Sequence, residues 1–295
     1  MTDTNQDQLM SDSVLSQRED PGVLSMMLNN RAIFWGGSLL LLFALIAIFG
    51  PLFTADPAAL NPIKRLKPPS VEIWFGSDFL GRDIFARVIY GGRISLVVGI
   101  AVAVIAVIIG LFLGLVAGYV RALDAVIMRV MDGLMSIPAI LLAIALISLS
   151  GATLSTVVIA IVIPEIPRVV RLVRAVVLTV REEPYVEAAI AAGTRLPLIM
   201  VRHILPNTIA PLIVQATYVC ASAMLTESIL GFLGAGIPPE IPSWGNIMSE
   251  GRTYFQISPW IIFFPGIALA LTVLAVNIVG DGLRDTLDPR IARKM

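Results

Sequence analysis

Five stretches of this chain carry no charged residue. Residues 32–53 give 22 such positions in a row, 94–120 give 27, 133–164 give 32, 208–226 give 19 and 257–280 give 24. A helix needs roughly 20 apolar residues to cross a hydrocarbon core of about 30 Å. Lipid offers no hydrogen-bond partners to backbone groups, so runs of this kind are expected as helices. The run at 133–164 contains SLSGATLS, which suits a tight turn between two helices. The pattern therefore predicts six spans, at 32–53, 94–119, 125–149, 153–177, 208–232 and 259–280. A soluble protein with buried helices does not account for five such runs in one chain. Within the second span Gly110, Gly114 and Gly118 recur every four residues. That spacing puts three small residues on one helix face and admits a second backbone at close range.

The polar segments divide the chain further. Residues 1–30 are acidic, with Asp3, Asp7, Asp12, Glu19 and Asp20 against Arg18, and read as a flexible tail. A secretory signal opens on a basic region, which this tail lacks. Residues 31–53 form the first span, 54–93 an external loop, 94–280 a five-helix core with a loop at 181–207, and 281–295 a second tail. With the N-terminus inside, 14 of the 21 Lys and Arg fall on the inner side. That bias places the 181–207 loop and both termini in the cytoplasm.

Composition then removes classes of function. Charged residues make up 14% of the chain and the formal net charge is zero, which argues against a nucleic-acid binder. A single histidine, His203, and a single cysteine, Cys220, leave no multi-histidine metal site and no intramolecular disulfide. None of the three lysines follows a glycine, so no phosphate loop of the GxxxxGK[ST] kind exists. Asp78 and Asp83 lack the ligand spacing of a calcium loop. No catalytic residue and no bound cofactor are expected.

The cytoplasmic loop contains EAAIAAGTRLPLIMVRHILP at 187–206. Pro184 suits a first helical turn, with Glu182 and Glu183 at its positive end. Ala188, Ala189, Ala191 and Ala192 are strong helix formers of little bulk. Gly193 suits a left-handed helix end, and Thr194 suits the cap of a second helix running to Pro206 and Asn207. The product is a helix, a sharp turn and a second helix. Its small-residue face suits docking to a partner as well as it suits an ordinary connector.

At this point the chain resembles a known family. Glu187, Ala188, Ala189, Gly193, Leu205 and Pro206 match in register the EAA motif of ABC importer permeases. His203 stands where that motif usually has isoleucine, a histidine found in the peptide-transporter branch. FGSDFLGRDIFARVIYGGRISL at 75–96 is similar to the segment before the core spans in the C-type permease of dipeptide and oligopeptide importers. Arg129, Asp132 and Pro138, the stretch 228–248 and GDGLRDTLDPR at 280–290 fit the same family, so the likeness covers about residues 30–290.

The resemblance implies an all-α integral membrane protein with six transmembrane helices and the ABC type I importer permease fold, in the bacterial plasma (inner) membrane. It implies a non-catalytic permease subunit of an ATP-driven importer of dipeptides or oligopeptides, forming half of the translocation pathway. Glu187, Ala188, Ala189, Gly193, His203, Leu205 and Pro206 would couple it to the ATPase. The partners implied are a second, B-type permease subunit, two ATP-binding subunits that hold ATP and Mg, and an extracytoplasmic peptide-binding protein. The same family imports nickel, glutathione and other small solutes. An ion-driven carrier is disfavoured by the lack of a clear repeat and by few charges deep in the spans.

Four features stand apart from the motif. Ile84, Phe85, Val88 and Ile89 form an apolar face, which reads as an amphipathic helix lying on the outer leaflet. Asp132, one turn from Arg129, is expected to pair with it or to line the path. Glu227 is a second candidate for the path or for a helix cap. Glu165, between Pro164 and Pro167, stands where the family usually has an apolar or aromatic residue.

Overall fold

The computed structural model describes residues 30–287; the tail expected at 1–30, apart from Asn30, and residues 288–295 lie outside that range. Ten α-helices follow in chain order among the described residues: α1 (Arg31–Phe49), α2 (Ile84–Tyr119), α3 (Arg121–Ser136), α4 (Ala139–Ser150), α5 (Leu154–Val180), α6 (Pro184–Ala191), α7 (Leu196–Ile199), α8 (Leu205–Phe232), α9 (Trp244–Gly251) and α10 (Trp260–Leu287). A π turn, Met200–Ile204, joins α7 to α8.

Four of these are long and apolar enough to cross a membrane: Arg31–Leu52, α2, the continuous Leu196–Phe232 and α10. The pair α3 and α4 counts as a fifth when taken as one span bent by 90°. The remaining expected span, 153–177, is the 27-residue helix α5. Glu165, Arg168, Arg171 and Arg174 set it apart from the other four.

Several boundaries differ from expectation for identifiable reasons. The straight helix expected at 125–149 is broken at Ile137 and Pro138. Proline lacks an N–H and pushes the residue before it out of the helical region, and Ile137 sits at φ −96°, ψ 129°. The amphipathic helix expected on the outer leaflet is instead the first three turns of α2. Ile84, Val88 and Ile89 are buried, and so is Arg87. An apolar stripe at helical spacing serves a protein core as well as a lipid surface. The second short helix does not stop at Pro206, because the wide turn at 200–204 carries the chain straight into α8. The Leu205 N–H bonds five residues back to Met200, and Pro206, which has no N–H to give, falls just after this widened turn, where the regular helical ladder is already interrupted. Arg195, not Thr194, stands at the head of α7. Finally α10 continues seven residues past the expected boundary at 280.

Two seams hold the bundle. Gly110, Gly114 and Gly118 pack α2 on α5, and a Cβ at each would come within 2.5, 2.6 and 2.6 Å of the Cβ of Val169, Val173 and Val177. The small-residue ridge read in the sequence thus has its partner four residues apart on a β-branched face. The second seam closes the chain ends: Asn30 caps α1 through Ala32 N–H at 2.9 Å and donates to the Gly282 carbonyl of α10 at 3.3 Å. The turn between α4 and α5 has Gly151 at φ 83° and a capping box of Thr153 with Thr156, as SLSGATLS suggested.

Candidate functional site

The helix pair α6–α7 lies at one end of the bundle. Pro184 opens α6 as its first residue, and Glu187 lies in its first turn. The far end closes in a Schellman arrangement, where Gly193 N–H bonds Ile190 C=O at 2.9 Å and Thr194 N–H bonds Ala189 C=O at 3.1 Å. Gly193 has φ 76°, and nothing lies within 4 Å of where its Cβ would stand. The left-handed backbone, not crowding, is what calls for glycine there.

Three side chains anchor the pair: Val186, Ile199 and Ile204 are buried in the main core cluster. A second tie comes from Asn207, whose Nδ2 donates to the His203 carbonyl at 2.6 Å and to Tyr185 Oη at 3.3 Å. The rest faces outward. Glu187, Ala188, Gly193 and Pro206 are exposed, while Ala189, His203 and Leu205 are half-buried. Tyr185, Ile190, Leu196, Leu198 and Val201 are large, apolar and exposed. Sequence reasoning missed these five; apolar side chains inside a polar connector were the available signal. The structure thus brings all seven motif residues onto or beside one exposed, partly apolar knob held by three anchors.

The opposite end of the bundle is built differently. Asp78 caps its own loop, accepting Leu80 N–H at 2.8 Å and Arg82 N–H at 2.9 Å. It also pairs with Arg82 at 2.5 Å and Arg87 at 2.8 Å. Both arginines reach Glu250 of α9. Asp78 and Arg87 are 0% and 1% exposed and pair away from water, while Arg82 and Glu250, 11% and 15% exposed, complete the neutral cluster at its rim. Beside them the Trp244 indole N–H donates to the Val88 carbonyl at 2.9 Å, and its ring lies on Gly91 and Gly92. Asn246 Nδ2 donates to the Ile237 carbonyl at 2.9 Å. Glu250 and Asn246 were not foreseen; two arginines at 82 and 87 with one nearby aspartate were the hint that another acid was needed.

The two path candidates separate. Glu227 is fully buried between helices, accepting from Ser95 Oγ of α2 at 3.0 Å and from Ser228 Oγ at 3.4 Å. Asp132 is 58% exposed and pairs with Arg171 of α5 at 2.6 Å. Its partner is across the helix crossing, not Arg129 one turn away, because α3 and α5 face each other there. Nearby, Arg174 donates to both oxygens of Asp124 at 2.5 and 2.6 Å. No group of His, Cys, Asp and Glu suited to a metal ion occurs among the described residues.

Comparison with known proteins follows these observations. Residues 106–293 match the family described as binding-protein-dependent transport system inner membrane component. A probable peptide ABC transporter permease protein, y4tQ, of Sinorhizobium fredii is 57% identical over 262 residues, covering 89% of this chain and 90% of that protein. The dipeptide transport system permease protein DppC of Alkalihalophilus pseudofirmus is 46% identical over 264 residues, 89% of this chain and 87% of that one. Among solved structures, the methionine ABC transporter MetNI in an inward-facing conformation aligns with a TM-score of 0.51 at 21% identity, covering 72% of this chain and 95% of that chain. That likeness concerns the fold.

Proposed function

Because the chain belongs to the family of binding-protein-dependent transport system inner membrane components, we propose that it is the permease subunit of an ATP-driven peptide importer in the bacterial inner membrane. It forms one half of a path completed by a second permease. Of two ATP-binding subunits, which hold ATP and Mg, one engages the knob α6–α7 from the cytoplasm, where both termini also lie. An extracytoplasmic binding protein delivers di- or oligopeptide to the α9 end. The chain breaks no bond in its cargo and hydrolyses nothing itself.

The observation that carries this reading is the knob. Five exposed apolar side chains on a segment with only three buried anchors form a surface that is complete only against another protein. Glu187, Ala188, Ala189, Gly193, His203, Leu205 and Pro206 shape that surface. When the ATPase subunits close, the knob moves with them. The turn at 200–204 transmits the movement to α8, since the backbone is continuous from Leu196 to Phe232. Alternating access then follows from rocking of the spans.

The test is purification of the tagged chain in mild detergent from its native host. A second permease and two nucleotide-binding chains are expected to accompany it, and peptide uptake into reconstituted vesicles is expected to need ATP. Uptake that persists without ATP and collapses with an ion gradient would overturn the reading.

A further inference from the structure

One face of α5 is neither buried nor apolar. Arg168 and Arg171 are 54% and 44% exposed in this chain. At about 100° per residue, Arg171, Ala175 and Thr179 fall within about 60° of Arg168, and all are exposed. Ile159, also exposed, lies nine residues from Arg168 and so points about 180° away. The exposed side therefore changes along the helix: the first half shows Ser155 and Ile159 and buries Val157 and Ile161, whereas the second half shows Arg168, Arg171, Ala175 and Thr179 and buries Val170, Val173 and Val177.

Depth makes the arginine-bearing side informative. Arg168 is roughly 20 Å from each end of α5, at about 1.5 Å per residue. If α5 crosses as the sequence predicts, at 153–177, Arg168 falls within a hydrocarbon core of about 30 Å. Ionised side chains at such depth face water or protein, not lipid. The neighbouring groups tune the charge without removing it. Glu165 is buried one turn earlier and accepts from Ser222 Oγ of α8 at 2.8 Å. Both its oxygens accept from Arg168 Nη1 at 3.3 Å. Among the described residues the hydrogen bonds of Arg168 engage Nη1 alone, so Nε and Nη2 remain open on the exposed side. Arg171 is occupied by Asp132.

We infer that this face of α5, with Asp132 opposite, is a wall of the aqueous translocation path, and that Arg168 is the group on it that meets the carboxylate terminus of a passing peptide. The inference rests on the proposed transport function and names the path residues and the cargo group they recognise. An arginine offers a planar fork that matches a carboxylate. A fully unpaired one would trap an anion, whereas a conduit needs binding weak enough for release. Glu165 supplies that weakening from the buried side, which gives this unusual acid a purpose.

The experiment uses the complete transporter in vesicles, with Cys220→Ser as background so that an introduced thiol is the only one in this chain, and labelling of that background is subtracted from each variant. ATP-driven uptake of a dipeptide by this background is established first. Its absence would count against the proposed function and not against the wall. Arg168→Cys, Ala175→Cys and Ile159→Cys are then treated with a positively charged, water-soluble methanethiosulfonate. Positions 168 and 175 are expected to react at least tenfold faster than 159, and transported dipeptide to slow them. At 168 the positive reagent is expected to restore uptake that its negatively charged homologue leaves abolished. Equal rates at 168 and 159 would overturn the inference. So would protection of both 168 and 175 throughout the transport cycle, which would mean that the second permease covers this face. Restoration indifferent to the sign of the reagent would remove the role of Arg168. Should Arg168→Cys fail to insert, position 175 carries the accessibility comparison and Arg168→Lys against Arg168→Gln carries the charge comparison: uptake kept in part by Lys and lost with Gln is expected, and equal uptake by both would remove the role of Arg168.

Discussion

The two ends of this bundle spend polar and apolar groups in opposite ways. At the α9 end, Asp78, Arg82, Arg87 and Glu250 close on one another, and Trp244 and Asn246 fill their own chain's gaps. At the α6–α7 end, Tyr185, Ile190, Leu196, Leu198 and Val201 point away from the chain that carries them. One end holds itself together; the other is shaped to be held. The difference separates a part whose mutation harms folding from a part whose mutation harms assembly.

The largest break in that contrast comes from the closed end. Arg87→Met removes the cation between two acids and leaves Asp78 with a buried, partly unmatched charge. Breaking such a pair costs about 3–5 kcal/mol. A sharp fall in detergent melting temperature and in yield is expected; a melting curve within experimental error of the parent would contradict the cluster's role.

Next is the seam on which both ends depend. Gly114→Leu drives a side chain into Val173, a clash of the overpacking kind that destabilises by about 1–3 kcal/mol. Pairing it with Val173→Ala is expected to recover part of the loss, and the double variant's melting temperature checks the contact.

At the open end the expected cost falls while the functional effect stays large. Gly193→Val meets no neighbour but must hold φ 76°, which is worth roughly 1–2 kcal/mol for a non-glycine residue. Membrane insertion is expected to survive and ATPase association to weaken. Normal ATPase stoichiometry together with normal transport would mean that the hinge does not matter.

The smallest stability effect sharpens the comparison most. Leu198→Ser alters an exposed position, where substitutions stay within about 0.5 kcal/mol. The isolated chain is expected to melt as before, while co-purification of the ATPase subunits drops. If both are unchanged, the exposed apolar set is not the docking surface.

Much of this was readable from residue order. The Gly110–Gly114–Gly118 ridge, the turn at Gly151 and the left-handed Gly193 all appear as expected, because each is set within one or two helical turns. The motif at 187–206 was legible as a broken helix pair. The apolar positions that give it a docking face were not singled out, since whether a leucine faces inward depends on what packs behind it. The path candidates were harder. Asp132, expected to pair with Arg129 or line the path, lies exposed beside Arg171, and Glu227, expected on the path or at a helix cap, is enclosed by serines. Glu165 accepts not only from Arg168 one turn away but also from Ser222, 57 residues away, a partner that residue order does not reveal.

The sequence by itself determined that the chain is helical and membrane-embedded, where the turns at Gly151 and Gly193 fall and which family it joins, because hydropathy, turn residues and short motifs act locally. Only the tertiary structure decided that residues 84–93 extend a core helix, that α3 and α4 part at 90°, that Glu250 completes the ion cluster and that Arg168 and Arg171 of α5 share an open face. These are matters of which helix lies against which. A helix's own spacing shows that two of its residues share a face, but the neighbour that face meets comes from a distant part of the chain.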